Sequence, residues 1–216
     1  MRKLLFLIFP ILAASSCGPL SEYFNQEGAA AFSRRDFAAA QKEFRRAALL
    51  SPFNAAIHNN LGFALYQSKN ALGAESEFFK ALSDHPNKTI LRQIRINQSL
   101  LYGEPGSWEG IPNHREWLLK SVGVLNELLK KEPDNAEFHM RLGFAYFQTA
   151  NPGGGFLEMD KAVQFANPQV VARYSSQPVQ GALSILDQIQ AFYLRIRYYK
   201  KASEVQKRIK DLKESK

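Results

Sequence analysis

The chain has 216 residues, of which 45% are hydrophobic and 22% charged, and it carries a formal net charge of +8. These proportions are typical of a folded protein of one domain or a short solenoid. After the N-terminus no run reaches the roughly 18 apolar residues of a membrane span, which excludes an internal transmembrane helix.

The N-terminus has the three parts of an export signal. Arg2 and Lys3 are followed by an apolar run over residues 4–13 and by small residues at 14–16. Cys17, the single cysteine of the chain, comes next. This arrangement resembles a bacterial lipoprotein signal peptide, which implies that residues 1–16 are removed and that Cys17 carries the lipid. An ordinary cleaved secretory signal and an uncleaved anchor are the alternatives.

By resemblance to lipoprotein sorting, the residue after the cysteine bears on destination. Gly18 stands there rather than aspartate, which favours the outer membrane of a bacterial envelope. We expect residues 17–20 to form a short lipidated tether ahead of a folded domain over 21–216.

The folded part begins with a stretch that occurs twice. Small, aromatic and proline residues recur in the same order 34 positions later: Gly28, Ala40, Phe44, Ala47 and Pro52, then Gly62, Ala74, Phe78, Ala81 and Pro86. This ladder and its period resemble the tetratricopeptide (TPR) repeat, in which two antiparallel helices form each unit. The resemblance implies an all-α superhelix, or solenoid, of about five helical hairpins. Stacking is required because one hairpin cannot bury its apolar face alone.

The first two repeats follow the pattern closely. Helices are predicted from Ser21, as the N-cap, to Ser33 and from Phe37 to Leu50. The five repeats are placed at about residues 21–54, 55–88, 89–135, 136–168 and 179–214.

The later repeats depart from the pattern. The third has an insertion at 103–114 that contains Trp108, and its register gives Ser121, Leu125 and Leu128 the core places. In the fourth, the run from Asn151 to Gly155 predicts a loose turn. The fifth is degenerate, with Ala202 as its small residue, and suits a capping unit.

In this family the first helix of each repeat lines a concave face where partner segments bind. The resemblance places ten aromatic, amide and apolar side chains on that face: Asn25, Phe32, Asn59, Phe63, Tyr66, Gln93, Asn97, Met140, Phe144 and Phe147. Amides can pair with a peptide backbone, and aromatic rings supply anchor pockets. Alternatively, Phe63, Phe144 and Phe147 pack against neighbouring repeats or the C-terminal helices.

Two further features are candidate surfaces. Residues 195–216 carry nine Lys or Arg against three acidic residues. The basic tail consists of Arg195, Arg197, Lys200, Lys201, Lys207 and Arg208. It suits anionic headgroups or an acidic partner, or is simply a solvated helix face. The insertion is the other candidate, with Trp108 and Trp117 on either side of Ile111 and Pro112, and Trp117 is expected in the core.

The sequence predicts no enzyme. It contains no HExxH, CxxC or Ser-His-Asp spacing, and PGGGF lacks the GK[ST] of a phosphate-binding loop. His58 and His139 occupy the same repeat position, which packing explains. No cofactor, metal or nucleic acid is expected.

Two functional hypotheses follow. In the first, a lipid-anchored TPR scaffold binds a protein segment in its groove during envelope assembly or secretion. In the second, an envelope component binds glycan or anionic lipid through its basic tail and the Trp-bearing loop.

Overall fold

The computed structural model describes residues 17–104, 111 and 113–214. Eleven helices follow one another along these ranges: α1 (Cys17–Ser33), α2 (Phe37–Leu50), α3 (Ala55–Gln67), α4 (Ala71–Ser83), α5 (Lys88–Gly103), α6 (His114–Leu129), α7 (Ala136–Gln148), α8 (Pro152–Phe165), α9 (Pro168–Val171), α10 (Pro178–Arg195) and α11 (Tyr199–Glu214). The predicted all-α fold of five TPR-type hairpins is confirmed. None of the described helices is both long enough and apolar enough to cross a membrane.

The chain forms two compact units, Met1–Ile94 and Arg95–Lys216, which we call the N-terminal and C-terminal units. The boundary lies within α5. The N-terminal unit contains the two regular hairpins, α1–α2 and α3–α4. The C-terminal unit contains the hairpins α7–α8 and α10–α11 together with α6, the short α9 and most of α5.

Four hairpins make the same turn between their helices. The last residue before the cap of the second helix adopts a left-handed conformation, with φ of 60–68°: Arg35, Lys69, Ala150 and Arg197. In each turn the following backbone N–H bonds back to a carbonyl five residues earlier, as from Asn70 to Leu65 at 2.9 Å. This bond satisfies a carbonyl that the helix end leaves unpaired. The degenerate fifth hairpin therefore keeps the turn of the regular ones.

Asparagine and aspartate side chains cap the N-terminus of the second helix in most hairpins. Asp36 caps α2, Asn70 caps α4 and Asn151 caps α8, each accepting a backbone N–H of the first turn at 3.0 Å. Such caps pair N–H groups that have no intrahelical partner.

The predicted ladder determines the packing inside the N-terminal hairpins. Phe44 and Phe78 are buried, at 2% and 0% exposure. A Cβ added to Gly28 would lie 2.6 Å from the Phe44 ring, and one added to Gly62 would lie 2.7 Å from the Phe78 ring. Each ring therefore lies against the bare backbone of the glycine on the facing helix.

The predicted N-cap at Ser21 is wrong, because α1 begins at Cys17 and residues 17–20 form its first turn. Pro19 is tolerated in the first turn of a helix, where its missing N–H would be unpaired anyway. Ser21 is 2% exposed, and its hydroxyl donates to the carbonyl of Ala47 at 3.1 Å. The side chain thus joins α1 to α2 instead of capping a helix.

The loose turn predicted for residues 151–155 is also wrong. Asn151 caps α8, Pro152 takes the first helical position and the glycines form the first turn. Proline suits that position because its ring presets the helical φ. Cap and proline together offset the weak helix propensity of three glycines.

In the third hairpin the residues predicted to form the core are buried, whereas part of the predicted insertion lies outside the described residues. Ser121, Leu125 and Leu128 are buried, and Trp117 packs edge-to-face on Tyr102 at 5.2 Å. Trp108 and most of the insertion lie outside the described residues.

Candidate functional site

The C-terminal unit contains an open cavity of about 570 Å³. Three helices and the end of a fourth line it: α7 with Glu137, Met140, Arg141, Phe144, Phe147 and Gln148, α10 with Gln188, Phe192 and Arg195, α6 with Ser121, and the end of α5 with Ser99, Leu100, Gly103 and the following Glu104. Its volume lies within the range typical of binding pockets in proteins.

Aromatic rings form one wall of the cavity. Phe144 and Phe147 lie one turn apart on α7 and both contact Phe192 of α10, at ring centroid distances of 5.2 and 4.7 Å. Phe156 of α8 supports Phe147 from behind at 4.9 Å. The wall is thus held by three helices.

Gly155 creates the space that Phe147 uses. A Cβ at this position of α8 would lie 2.7 Å from the Phe147 ring. The regular repeats have Ala40 and Ala74 at the equivalent place. Glycine at 155 therefore lets a large ring approach α8 and reach the cavity.

Two guanidinium groups add polar character to the cavity. Arg141 Nη2 donates to Glu137, one turn earlier on α7. Its Nη1 is buried and has no hydrogen-bond partner among the described residues. Arg195 lies over the Phe192 ring, 5.5 Å from the centroid. The cavity can therefore hold an apolar side chain on its aromatic wall and a hydrogen-bond acceptor beside Arg141.

The structure brings three of the predicted groove residues to this cavity, namely Met140, Phe144 and Phe147. Phe144 and Phe147 also pack against a C-terminal helix, as the alternative interpretation held. Arg195 was predicted in the basic tail and lies in the cavity lining as well.

The predicted residues of the first two hairpins form a separate row on the N-terminal unit. The rings of Phe32 and Phe63 stack at 5.3 Å, and Phe63 stacks on Tyr66 at 5.7 Å. Asn25 accepts a hydrogen bond from Asn60 at 3.0 Å. The contacts of Phe32 with Phe63 and of Asn25 with Asn60 join α1 to α3, so the row stabilises the packing of one hairpin on the next.

Four of the predicted groove residues are buried, although side chains that contact a partner are expected to be exposed. Asn59, Tyr66, Asn97 and Met140 are buried, with exposures of 2–7%. Their side chains are covered because the inner positions of a first helix also face neighbouring helices in a stack. Gln93 is exposed and stays a candidate contact residue.

Sequence reasoning missed the partners of the two repeat histidines. His58 lies between Glu77, with Nδ1–Oε2 of 2.6 Å, and the carbonyl oxygen of Pro52, 2.9 Å from Nε2. The set recurs in the fourth hairpin as His139, Glu158 and Pro133, at 2.5 and 2.8 Å. Each histidine ties its helix to the second helix of the hairpin and to the preceding turn. The shared spacing of His and Glu in both repeats was the available signal.

The partners of His58 favour its charged form, because both ring nitrogens face acceptors. The hydrogen bond to Glu77 raises the pKa of His58 against the opposing effect of burial. Burial alone would raise the pKa of Glu77, but hydrogen bonds from His58 and Lys80 lower it below its ordinary value. The pair is a buried structural contact.

The basic tail is partly used inside the C-terminal unit. Lys201 pairs with Asp160 of α8 at 2.7 Å, and this hydrogen bond raises the pKa of Lys201. Arg208 donates to the carbonyl of Gln164 at 3.2 Å. Both side chains therefore join α11 to α8, whereas Lys200 and Lys207 are exposed. Arg197 occupies the left-handed turn position.

The described residues contain no group of three or more His, Cys, Asp or Glu placed to hold a metal ion. The cavity of the C-terminal unit is large enough for a short polypeptide segment or a small ligand.

Comparison with known proteins supports the repeat class over part of the chain. Residues 25–87 match the family model of the tetratricopeptide repeat. This range contains the ladder of the first two hairpins. No curated protein matches the chain.

Solved structures extend the likeness of fold to nearly the whole chain. MamA from Desulfovibrio magneticus RS-1, from residue 41 to its end, is 17% identical with a TM-score of 0.65, covering 93% of this chain and 99% of that one. A MamA RS-1 double mutant is 18% identical with the same TM-score, covering 93% and 98%. At these identities the likeness shows the fold alone.

Proposed function

We propose that this protein is a non-enzymatic scaffold, anchored in a bacterial envelope by lipid on Cys17, that holds a segment of a partner protein in the cavity of the C-terminal unit. The TPR-type fold suits protein–protein interaction, since its first helices present side chains along one face of each hairpin. Envelope assembly or secretion is the process we assign to it.

The cavity beside Phe144, Phe147 and Phe192 is the observation that carries this proposal. Aromatic side chains dominate binding energy at protein interfaces. Arg141 Nη1 supplies a donor that can pair with a carbonyl or carboxylate of the partner. An extended segment with an apolar side chain next to an acceptor fits this chemistry.

The anchor rests on the sequence of the N-terminus. Cys17 follows a positive, apolar and small-residue series, and lipidation would place the protein on a membrane, which we propose to be the outer membrane. Residues 1–16 lie outside the described part of the chain.

In-cell photo-crosslinking tests the cavity. A photoreactive amino acid replaces Gln188, an exposed cavity residue of α10, and we expect one defined protein adduct. The matched control places the same amino acid at Gln180, exposed on the same helix and outside the cavity. Equal adducts at the two positions would overturn the cavity as the binding site.

A blocking variant adds a second arm to this experiment. Gln148→Trp puts a large side chain at an exposed cavity position without removing a core contact. We expect it to abolish the adduct at 188 while circular dichroism stays unchanged. An undiminished adduct would show that the partner does not occupy the cavity.

The alternative of glycan or anionic lipid binding through the basic tail remains open to test. Lys200 and Lys207 are exposed cations of the tail that lie outside the cavity, whereas Lys201 and Arg208 are paired with α8. Under our proposal, Lys200→Gln with Lys207→Gln leaves the yield of the 188 adduct unchanged. Loss of salt-sensitive binding to vesicles or cell wall in this variant would support the alternative.

A further inference from the structure

The end of the first hairpin where the chain enters α1 exposes four large apolar side chains. They are Leu20 at 47%, Tyr23 at 54%, Leu49 at 81% and Phe53 at 84% exposure. The first two lie in the opening turns of α1, and the other two lie at and just beyond the end of α2. We call this set the apolar tip.

The antiparallel packing of α1 and α2 places the two halves of the tip at one end of the hairpin. Ser21 of α1 donates to the carbonyl of Ala47 in α2, so the start of α1 lies level with the last turn of α2. Arg46 of α2 lies 4.5 Å over the ring of Phe24 in α1, one turn further in. Leu49 and Phe53 therefore lie at the same end as Leu20.

The rest of the first hairpin has a different surface. Among its described residues the large apolar side chains with high exposure all belong to the tip. The opposite end is the turn formed by Arg34, Arg35 and Asp36, which is exposed and charged. The first hairpin thus has an apolar end and a charged end.

At three of the four tip positions the fold does not require an apolar residue; Tyr23 is the exception, because its equivalent Ile57 is apolar and buried. In the second hairpin, 34 positions later, Leu20, Leu49 and Phe53 are replaced by polar residues: Asn54, Ser83 and Asn87. Both hairpins have the same helix lengths within a few residues and the same turn. At these three positions the apolar character is therefore particular to the hairpin that follows Cys17.

We propose that the apolar tip contacts the membrane surface, with Leu49 and Phe53 inserted among the lipids beside the anchor. This inference rests on the proposed lipid anchor at Cys17. Leu20 is three residues from Cys17 in the same helix, which is about 4.5 Å along the axis. Acyl chains on Cys17 would hold the tip at the interface, where apolar side chains bury about 5–10 Å deep.

The contact would restrict the orientation of the first hairpin. A lipid on a flexible tether lets a domain rotate freely, but α1 is helical from Cys17 onward. With the tip at the bilayer, the turn at Arg34, Arg35 and Asp36 points away from it. The N-terminal unit would then stand on the membrane by one end.

The test uses the full-length lipidated protein in vesicles of phosphatidylethanolamine and phosphatidylglycerol. Cys17 is the only natural cysteine, and lipidation consumes its thiol. A thiol-reactive fluorescent label therefore attaches only to the introduced cysteine. Leu49→Cys places the label on the tip. Ser83→Cys places it at the equivalent position of the second hairpin, and Ser33→Cys at the opposite end of α1; both positions are exposed.

We expect nitroxide-bearing lipids to quench the label at position 49 several-fold more strongly than the labels at 33 and 83. Iodide in the aqueous phase should show the reverse order. Equal quenching at all three positions, in vesicles that carry the protein on flotation, would overturn the tip contact and leave the anchor intact.

Two further outcomes separate the causes of a failure. If the unlabelled parent protein does not float with vesicles and Cys17 reacts with a thiol reagent, the proposed anchor fails and the tip contact falls with it. If the label at 49 is shielded equally in detergent without vesicles, and increasingly so with protein concentration, a second copy covers the tip and the lipid contact is wrong.

Discussion

At the scale of single residues, the closest approach between helices depends on glycine. The Phe78 ring of α4 lies where a side chain on Gly62 of α3 would stand. In contrast, Gly123 of α6 is exposed, and a Cβ there would meet nothing within 4 Å. The same substitution at the two positions should therefore have opposite effects.

We predict that Gly62→Ala lowers the free energy of unfolding by about 1–3 kcal/mol, because the ring or the helix must shift to admit the methyl group. Gly123→Ala should raise it by about 0.5–1 kcal/mol, since alanine restricts the unfolded chain and favours the helix. Urea unfolding followed by circular dichroism measures both. A Gly62→Ala variant as stable as the parent would contradict the packing described here.

The His58–Glu77 pair predicts a pH dependence. The raised pKa of His58 adds stability that is fully present below its ordinary value of 6.5 and is lost as pH rises through the folded pKa. The lowered pKa of Glu77 adds stability that is present above 4.5 and is lost as pH falls through its folded pKa. The two contributions are present together between pH 4.5 and 6.5.

Glu77→Gln should therefore destabilise the protein most within that window, by about 1.5–3 kcal/mol, the typical value of a hydrogen bond to a charged group. The difference from the parent should narrow at higher and lower pH. Glu27→Gln, an exposed carboxylate of α1, is the matched control and should shift stability little at any pH. Denaturant unfolding of Glu77→Gln and the parent across the pH range tests this prediction. A difference in unfolding free energy that does not change with pH would refute the charged His58–Glu77 pair.

At the scale of elements, α11 shows how a strongly polar helix is held. Its buried face consists of Ala202, Val205 and Ile209 at helical spacing. These side chains join the buried cluster of α7, α8 and α10, and the pairs from Lys201 and Arg208 border it. The last helix thus covers the core of the C-terminal unit, as a capping repeat does.

We predict that Ile209→Ala lowers the free energy of unfolding by about 2–5 kcal/mol, because Ile209 is 1% exposed and its truncation leaves a cavity. Lys210→Ala, the next residue on the exposed face, should change it by less than about 0.5 kcal/mol. Hydrogen exchange of the α11 amides provides the measurement. Equal protection in the two variants would show that the helix does not dock through this face.

At the scale of the whole molecule, the proposed lipid anchor and the proposed binding cavity can be tested separately. The proposed anchor is at the start of α1, whereas the cavity belongs to the C-terminal unit. Loss of the anchor at Cys17 need not abolish binding in the cavity, and loss of the cavity need not release the anchor.

We predict that Cys17→Ala abolishes incorporation of labelled fatty acid and moves the protein out of the outer-membrane fraction. The cavity is distant in sequence from this change, so the purified variant should unfold like the parent. Metabolic labelling with palmitate, followed by membrane fractionation, tests this expectation. Lipid retained on the variant would refute attachment through Cys17.

Most of the fold could be predicted from local patterns. The ladder from Gly28 to Pro86 repeats because each residue meets the same kind of neighbour in the first two hairpins, so spacing alone identifies their helices and packed faces. The predictions failed where a residue has two uses. Ser21 suits an N-cap by residue type, yet its hydroxyl donates to Ala47 between α1 and α2, and the helix extends back to Cys17.

The candidate site was predictable only in part. Phe144 and Phe147 follow from repeat register, because inner positions are a property of one helix. Phe192, Gln188 and Arg141 complete the cavity from other positions. Phe192 and Gln188 lie on α10, whose sequence lacks the repeat pattern that would identify them. The sequence by itself determined the helical hairpins and their order, because these depend on contacts between residues at fixed spacing. Only the tertiary structure decided which aromatic residues line a cavity and which are covered, because that depends on helices far apart in the chain.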